Sequence, residues 1–166
     1  MPVIGTLVVG ADGSTSKNGN SAGVTTVLDR SEFLQRRRSA DCIIIGGNTA
    51  RTEPYQRTPV PVVVLSRTLI NPLSGNRLAH CWNLAPEKAL DKALEAFGPR
   101  IHIEAGASIF QELISAGRID QLELSITEIT GGEDKLDIEQ LLSNFAITND
   151  QTVEGTRFIS AVKKNI

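Results

Sequence analysis

Apolar positions run in two rhythms along this chain. Short continuous runs, VIGTLVVG (3–10), CIIIG (42–46) and PVVVL (61–65), read as strands, the last two buried on both faces. RLAHCWNL (77–84) holds a weaker strand, and RIHIEAG (100–106) a strand that ends on a small-residue turn. Between them the period changes to that of a helix. In APEKALDKALEAFG (85–98), Ala89, Leu90, Ala93, Leu94 and Phe97 share one face and Gly98 stops the run. ASIFQELISAG (107–117) is the next helix, with Gly117 just past its end. LDRSEFLQRRRSA (28–40) predicts an earlier one: Asp29 with Glu32 forms a capping box, so the helix should start near Arg30 and end near Ser39. A short helix could follow Gly46–Gly47, and another lies in KLDIEQLLSNF (135–145). DQLELSITEI (120–129) alternates as a core or interface strand would. Two more strands, FAITND (145–150) and EGTRFISAV (154–162), close the chain. RTEPYQRTPVP (51–61) holds three prolines and must be irregular.

This alternation predicts one α/β domain over residues 1–166. A mostly parallel central sheet would carry helices on both faces and an antiparallel C-terminal edge. Ligands of such sheets sit beyond the carboxyl ends of the strands. Gly10, Asp12 and Gly13 follow the first strand, and Gly46, Gly47, Asn48 and Thr49 the second. Ser66 and Arg67 end the third, and Glu104, Ala105, Gly106 and Ala107 follow the fourth. Glycine lets a ligand approach the backbone, and a helix starting there offers free amides to an anion. The G-x-G-x-x-G fingerprint of an ordinary dinucleotide fold is absent.

Composition narrows the choice. Net charge is −2 over 166 residues, and Arg36 to Arg38 is the one basic run, so a nucleic-acid face is not indicated. No apolar run approaches the roughly 18 residues of a membrane span. The first residues lack the basic region and cleavage site of a signal peptide. Cys42 and Cys81 lie in apolar runs without a metal-ligand spacing, so burial in a reducing cytoplasm is expected, and no metal.

Several motifs in order, DG…NGNS, RRRSADCIIIGGNT, PVVVLSR and IEAGASIFQELISAGRIDQLELSI, together resemble the dihydrofolate-reductase-like fold. Within it the chain is most similar to the pyrimidine reductase of riboflavin biosynthesis, the C-terminal reductase domain type. The resemblance covers nearly the whole chain; residues 40–49 and 103–124 carry it best. It implies NADPH as cofactor. Ser66 and Arg67 would hold the adenosine 2′-phosphate, Gly46 and Thr49 the pyrophosphate, and Gly106, Ala107, Ser108 and Ile109 the helix-start turn around it. Gly10 would stand at the cofactor side of the first strand. A phosphate dianion does favour a guanidinium fork with a hydroxyl.

The same resemblance implies a phosphoribosylamino-pyrimidine substrate, its ribosyl group reduced to ribityl. Ser21 and Arg37 match substrate-binding positions, Arg57 is a second phosphate partner, and Glu104 is the acid beside the substrate. The proton could come from Glu104 or from a bound water. Three departures touch the substrate side: Gly23 where the family has Trp, Gly10 where it has Ser, and Glu53 where it has aspartates. The zinc signature of a deaminase is missing. A homodimer is implied by the relatives. Two other readings stay open: dihydrofolate reductase, with Glu32 serving the pterin, and a nucleotide-binding relative without catalysis.

Overall fold

The computed structural model describes residues 3–19, 21–68, 70–104 and 106–165. Its main sheet takes six parallel strands from the N-terminal two-thirds. These are β1 (Val3–Val9), β3 (Cys42–Gly46), β4 (Val62–Leu65), β5 (Ala79–Trp82), β6 (Ile101–Ile103) and β7 (Gln121–Ile126). Two long strands, β9 (Phe145–Val153) and β10 (Thr156–Lys163), complete it antiparallel. The order is β5-β4-β3-β6-β1-β7-β10-β9. The parallel sheet and its antiparallel edge are those the sequence predicts. LELSI proves to be a core strand, paired with β1 on one side and β10 on the other.

The continuous apolar runs have a direct cause. In β3, Cys42 and Ile44 point into one core with Val63 and Leu65 of β4. Ile43 and Ile45 point into a second core with Val62 and Val64. The first core is covered by α3 (Pro86–Phe97) and α4 (Ala107–Ser115), through Ala89, Leu90, Ala93, Phe110 and Leu113. Helix α5 (Ile138–Ser143) adds Leu141. The second is covered by α2 (Gly47–Thr52), through Ala50, and by the proline-rich loop, through Tyr55 and Leu73. Helix α4 ends as predicted: Gly117 sits at φ +67, and Arg118 N donates to Leu113 O while Gly117 N donates to Ile114 O.

One expectation fails. Helix α1 runs Val27–Arg37, and Arg30 N donates to Thr26 O, so Thr26, not Asp29, is the residue before the first turn. Thr is a favoured residue at that position, and Thr26 Oγ1 also lies 3.2 Å from Thr156 Oγ1 on β10. The segment after β1 carries a short strand of its own. β2 (Ser14–Ser16) pairs with β8 (Glu133–Lys135) as a small antiparallel sheet. Asp12 holds it, accepting from Ser14 Oγ at 2.6 Å and Gly131 N at 2.9 Å and facing Lys135 Nζ at 3.3 Å. The Ser14 hydroxyl first, then the Gly131 amide, keep the Asp12 carboxyl well below the usual carboxylate range. No helix among the described residues is long and apolar enough to cross a membrane.

Candidate active site

Parallel strands share one carboxyl rim, so β1, β3, β4 and β6 all finish on the same side of the molecule. A cleft of about 1150 Å³ opens there. Its outer wall is the β2–β8 sheet, and its inner walls are α1 and the starts of α2 and α4.

Glu104 follows β6 and is the buried charge of this cleft, 7% exposed. Its Oε1 accepts from Arg37 Nη2 at 2.8 Å and from Tyr55 OH at 2.8 Å. The Arg37 guanidinium lies between two rings, 4.7 Å from the Phe33 centroid and 4.8 Å from that of Tyr55. Such placement adds cation–π attraction to the ion pair. Burial pushes the Glu104 carboxyl up; the Arg37 charge and the two hydrogen bonds recover only part of that rise. Burial also raises the Tyr55 phenol, reinforced by the Glu104 charge, so it stays a donor.

On the same strand, His102 is 2% exposed and its Nδ1 has no partner among the described residues. Burial, then the charges of Arg36, Arg37 and Arg100, lower its pKa from 6.5 to about 4. The folded protein therefore keeps His102 neutral where the unfolded chain would protonate it. Stability is complete above pH 6.5 and falls as pH drops toward 4, by about 3 kcal/mol at about 1.4 kcal/mol per pKa unit. Urea melts at pH 7 and pH 4.5 check this: His102→Leu should flatten the difference, and an unchanged slope contradicts it.

Two glycine turns line the same cleft. Gly46 and Gly106 precede α2 and α4, and neither helix has a side-chain cap for its first amides. Gly46, Thr49, Gly106, Ala107, Ser108 and Ile109 all line the cleft. The two turns are adjacent, since a Cβ on Gly46 would stand 3.1 Å from Ile109 Cδ1. A Cβ on Gly106 would meet nothing within 4 Å, so the turn opens onto free space. Ser66 lies beside them: its Oγ is 3.5 Å from where a Gly47 Cβ would be. Arg67 is exposed at the next position, and neither it nor Ser66 lines the cleft.

Not every predicted residue joins this group. Ser21 does, with its amide on Glu53 Oε1 at 2.7 Å. Gly10 does not line the cleft. A Cβ there would lie 2.3 Å from Ile129 O, so close packing of the backbone accounts for the glycine. Arg57 is exposed in the proline-rich loop and also lies outside the lining. Gly23 packs on Lys17, whose carbonyl would be 2.5 Å from a Cβ, so the chain itself fills that position. Glu32 is exposed on α1 and does not line the cleft, which removes the carboxylate on which the pterin reading depends.

Sequence reasoning missed four residues. Tyr55 and Phe33 sandwich Arg37. Arg51 places Nη1 3.1 Å from a Gly47 Cβ, beside Ser66. Arg30 lines the cleft two turns before Arg37 on the same helix face. Tyr55 had one signal: a single tyrosine amid prolines has few places to bury its ring. Among the described residues no cluster of His, Cys, Asp or Glu could hold a metal.

Strand order and rim cleft together define an α/β fold of the dihydrofolate-reductase-like class. More narrowly, the chain belongs to the RibD C-terminal domain family, whose model matches residues 2–152. Among curated proteins none matches it in sequence. Among solved structures, it is similar to a Thermotoga maritima diaminohydroxyphosphoribosylaminopyrimidine deaminase/5-amino-6-(5-phosphoribosylamino)uracil reductase. The TM-score there is 0.78 at 15% identity, over 98% of this chain and 57% of that one. A pyrimidine reductase-like protein of Corynebacterium diphtheriae gives 0.75 at 18% identity, over 99% and 93%. Acinetobacter baumannii RibD gives 0.74 at 16%, over 99% and 59%. The chain thus spans little more than half of the Thermotoga and Acinetobacter proteins, and at these identities the likeness speaks for the fold.

Proposed function

We propose that this chain is an NADPH-dependent reductase that converts the ribosyl group of a phosphoribosylamino-pyrimidine to ribityl. The observation that carries the reading is a buried carboxyl, Glu104, in a cleft also lined by two glycine-started helix ends without side-chain caps. Helix α4 and its turn suit a pyrophosphate, since its first amides have no side-chain partner and no side chain at Gly106 blocks approach. Ser66, Arg67 and Arg51 would take the 2′-phosphate. NADPH supplies hydride when bound.

The chain's own residues have three tasks. The glycine turns hold the cofactor's phosphates. The β2–β8 sheet and α1 close the cleft around the sugar and limit water. Glu104, its pKa raised by burial, stands as the acid that would pass a proton to the reacting end, a better relay than an ordinary carboxylate. Arg37 is already engaged by Glu104, so the substrate phosphate falls to Arg30, which has no side-chain partner among the described residues. The expected homodimer belongs to the same proposal, with β9, exposed along all but Phe145, as the surface available for pairing.

Loss of NADPH absorbance with 5-amino-6-(5-phosphoribosylamino)uracil tests the activity. Stoichiometric oxidation with a ribityl product is expected; no turnover with both at saturating concentration contradicts the reading. Cofactor choice has its own test. Arg67→Ala should weaken NADPH by about one to two decades and leave NADH nearly unchanged, the value of a charge-assisted hydrogen bond. Equal losses for both cofactors in a fluorescence titration would remove Arg67 from the 2′-phosphate.

A further inference from the structure

Thr6 lies in the middle of β1, and its side chain is out of place for a core strand. It is 7% exposed, it lines the cleft, and its Oγ1 is buried without a hydrogen-bond partner among the described residues. Buried hydroxyls are almost always paired, because leaving one unpaired forfeits its bonds to water.

Its position follows from register. On β1, Val3, Leu7 and Val9 enter the first core, and a Cβ on Gly5 would strike the Phe110 ring there at 2.5 Å, so Thr6 faces the other side. On β6, Ile101 and Ile103 enter that same core, so Glu104 also faces away from it. Gly5 pairs in parallel with Ile103, and the next step along both strands sets Thr6 beside Glu104. The carboxyl is fixed from the far side, by Arg37 and Tyr55 on Oε1.

We infer that the Thr6 hydroxyl is a substrate-contacting group that works beside Glu104, hydrogen-bonding the sugar–nitrogen end of the phosphoribosylamino substrate. The inference rests on the reductase reading and names which atoms of this chain meet that end. A hydroxyl both donates and accepts, whereas Arg37 and Tyr55 present only donors to Glu104. The pair Thr6–Glu104 therefore offers a neighbouring acceptor and donor to a ligand that carries both, as a glycosylamine does. It gives the cleft a preference for such a group over an apolar one of equal size, since an apolar group would leave the hydroxyl unpaired.

The test is Thr6→Val, which keeps the shape and removes the hydroxyl, read in three assays. Without ligand, its melting temperature should match or exceed that of the wild type, because an unpaired buried hydroxyl is gone. The NADPH dissociation constant should not move. kcat/KM for the phosphoribosylamino-pyrimidine should fall about tenfold or more, the value of one lost hydrogen bond. A merely structural Thr6 would lower the melting temperature and leave kcat/KM intact, and that result overturns the inference. Should Thr6→Val fail to fold, the pair Thr6→Ser and Thr6→Ala decides: Ser should exceed Ala by about tenfold in kcat/KM, and equal values overturn it. Wild-type protein that does not turn the substrate over defeats the reductase reading itself, and is thereby distinguished from a wild type that does so while Thr6→Val is unimpaired.

Discussion

Arg37→Leu is expected to lower unfolding free energy by about 3–5 kcal/mol, the usual consequence of leaving one member of a buried ion pair alone. Both partners are deeply buried, with side-chain exposures of 8% for Arg37 and 2% for Glu104. The guanidinium also loses its place between Phe33 and Tyr55. At 2% side-chain exposure Glu104 has little access to water to replace the lost charge, so the carboxyl must take up a proton or draw the cleft open. The double variant Arg37→Leu/Glu104→Leu should recover much of the loss, since two apolar groups need no partner. Urea denaturation of the two single variants and the double variant measures this. Additive losses would show that the pair is not the unit of stability described here.

Glu104→Gln should reduce kcat/KM by about 100- to 10,000-fold, the range associated with a positioned proton donor. Glutamine keeps the shape and can still accept from Tyr55, but it cannot give up a proton and no longer balances Arg37. NADPH binding is expected to stay near the wild-type value, because the proposed cofactor contacts are the glycine turns, Ser66 and Arg67 rather than the Glu104 side chain. Kinetics at saturating NADPH, paired with a fluorescence titration of the cofactor, separate the two effects. A variant with normal kcat/KM would take the proton away from Glu104 and leave it to water.

Much of this architecture is written in local patterns. The runs 42–45 and 62–65 are apolar throughout because both faces are buried, and a two-sided core leaves little room for another reading. The glycine turns were visible because helices begin immediately after them. What escaped was set by contacts between distant residues. Helix α1 starts at Val27, after Thr26, which also meets Thr156, 130 positions away, a contact that no local pattern contains. The β2–β8 sheet has only three residues per strand, largely polar, and Asp12 holds it rather than apolar packing. Arg37 was legible as a residue that matters but not as Glu104's partner. Three arginines at a helix end look alike until the fold brings a carboxyl from 67 positions away onto one of them. Tyr55 reaches the same oxygen across 49 positions, from a loop that carries no periodicity at all.

The central proposal is spatial: a phosphorylated dinucleotide would lie across the carboxyl rim, against the glycine turns and beside Glu104. A crystal structure with NADPH bound tests it most directly. The account predicts pyrophosphate density against Gly46 to Thr49 and Gly106 to Ile109, the 2′-phosphate beside Ser66 and Arg67, and the nicotinamide facing Glu104. Density at another face of the molecule, or none at millimolar NADPH, would contradict it.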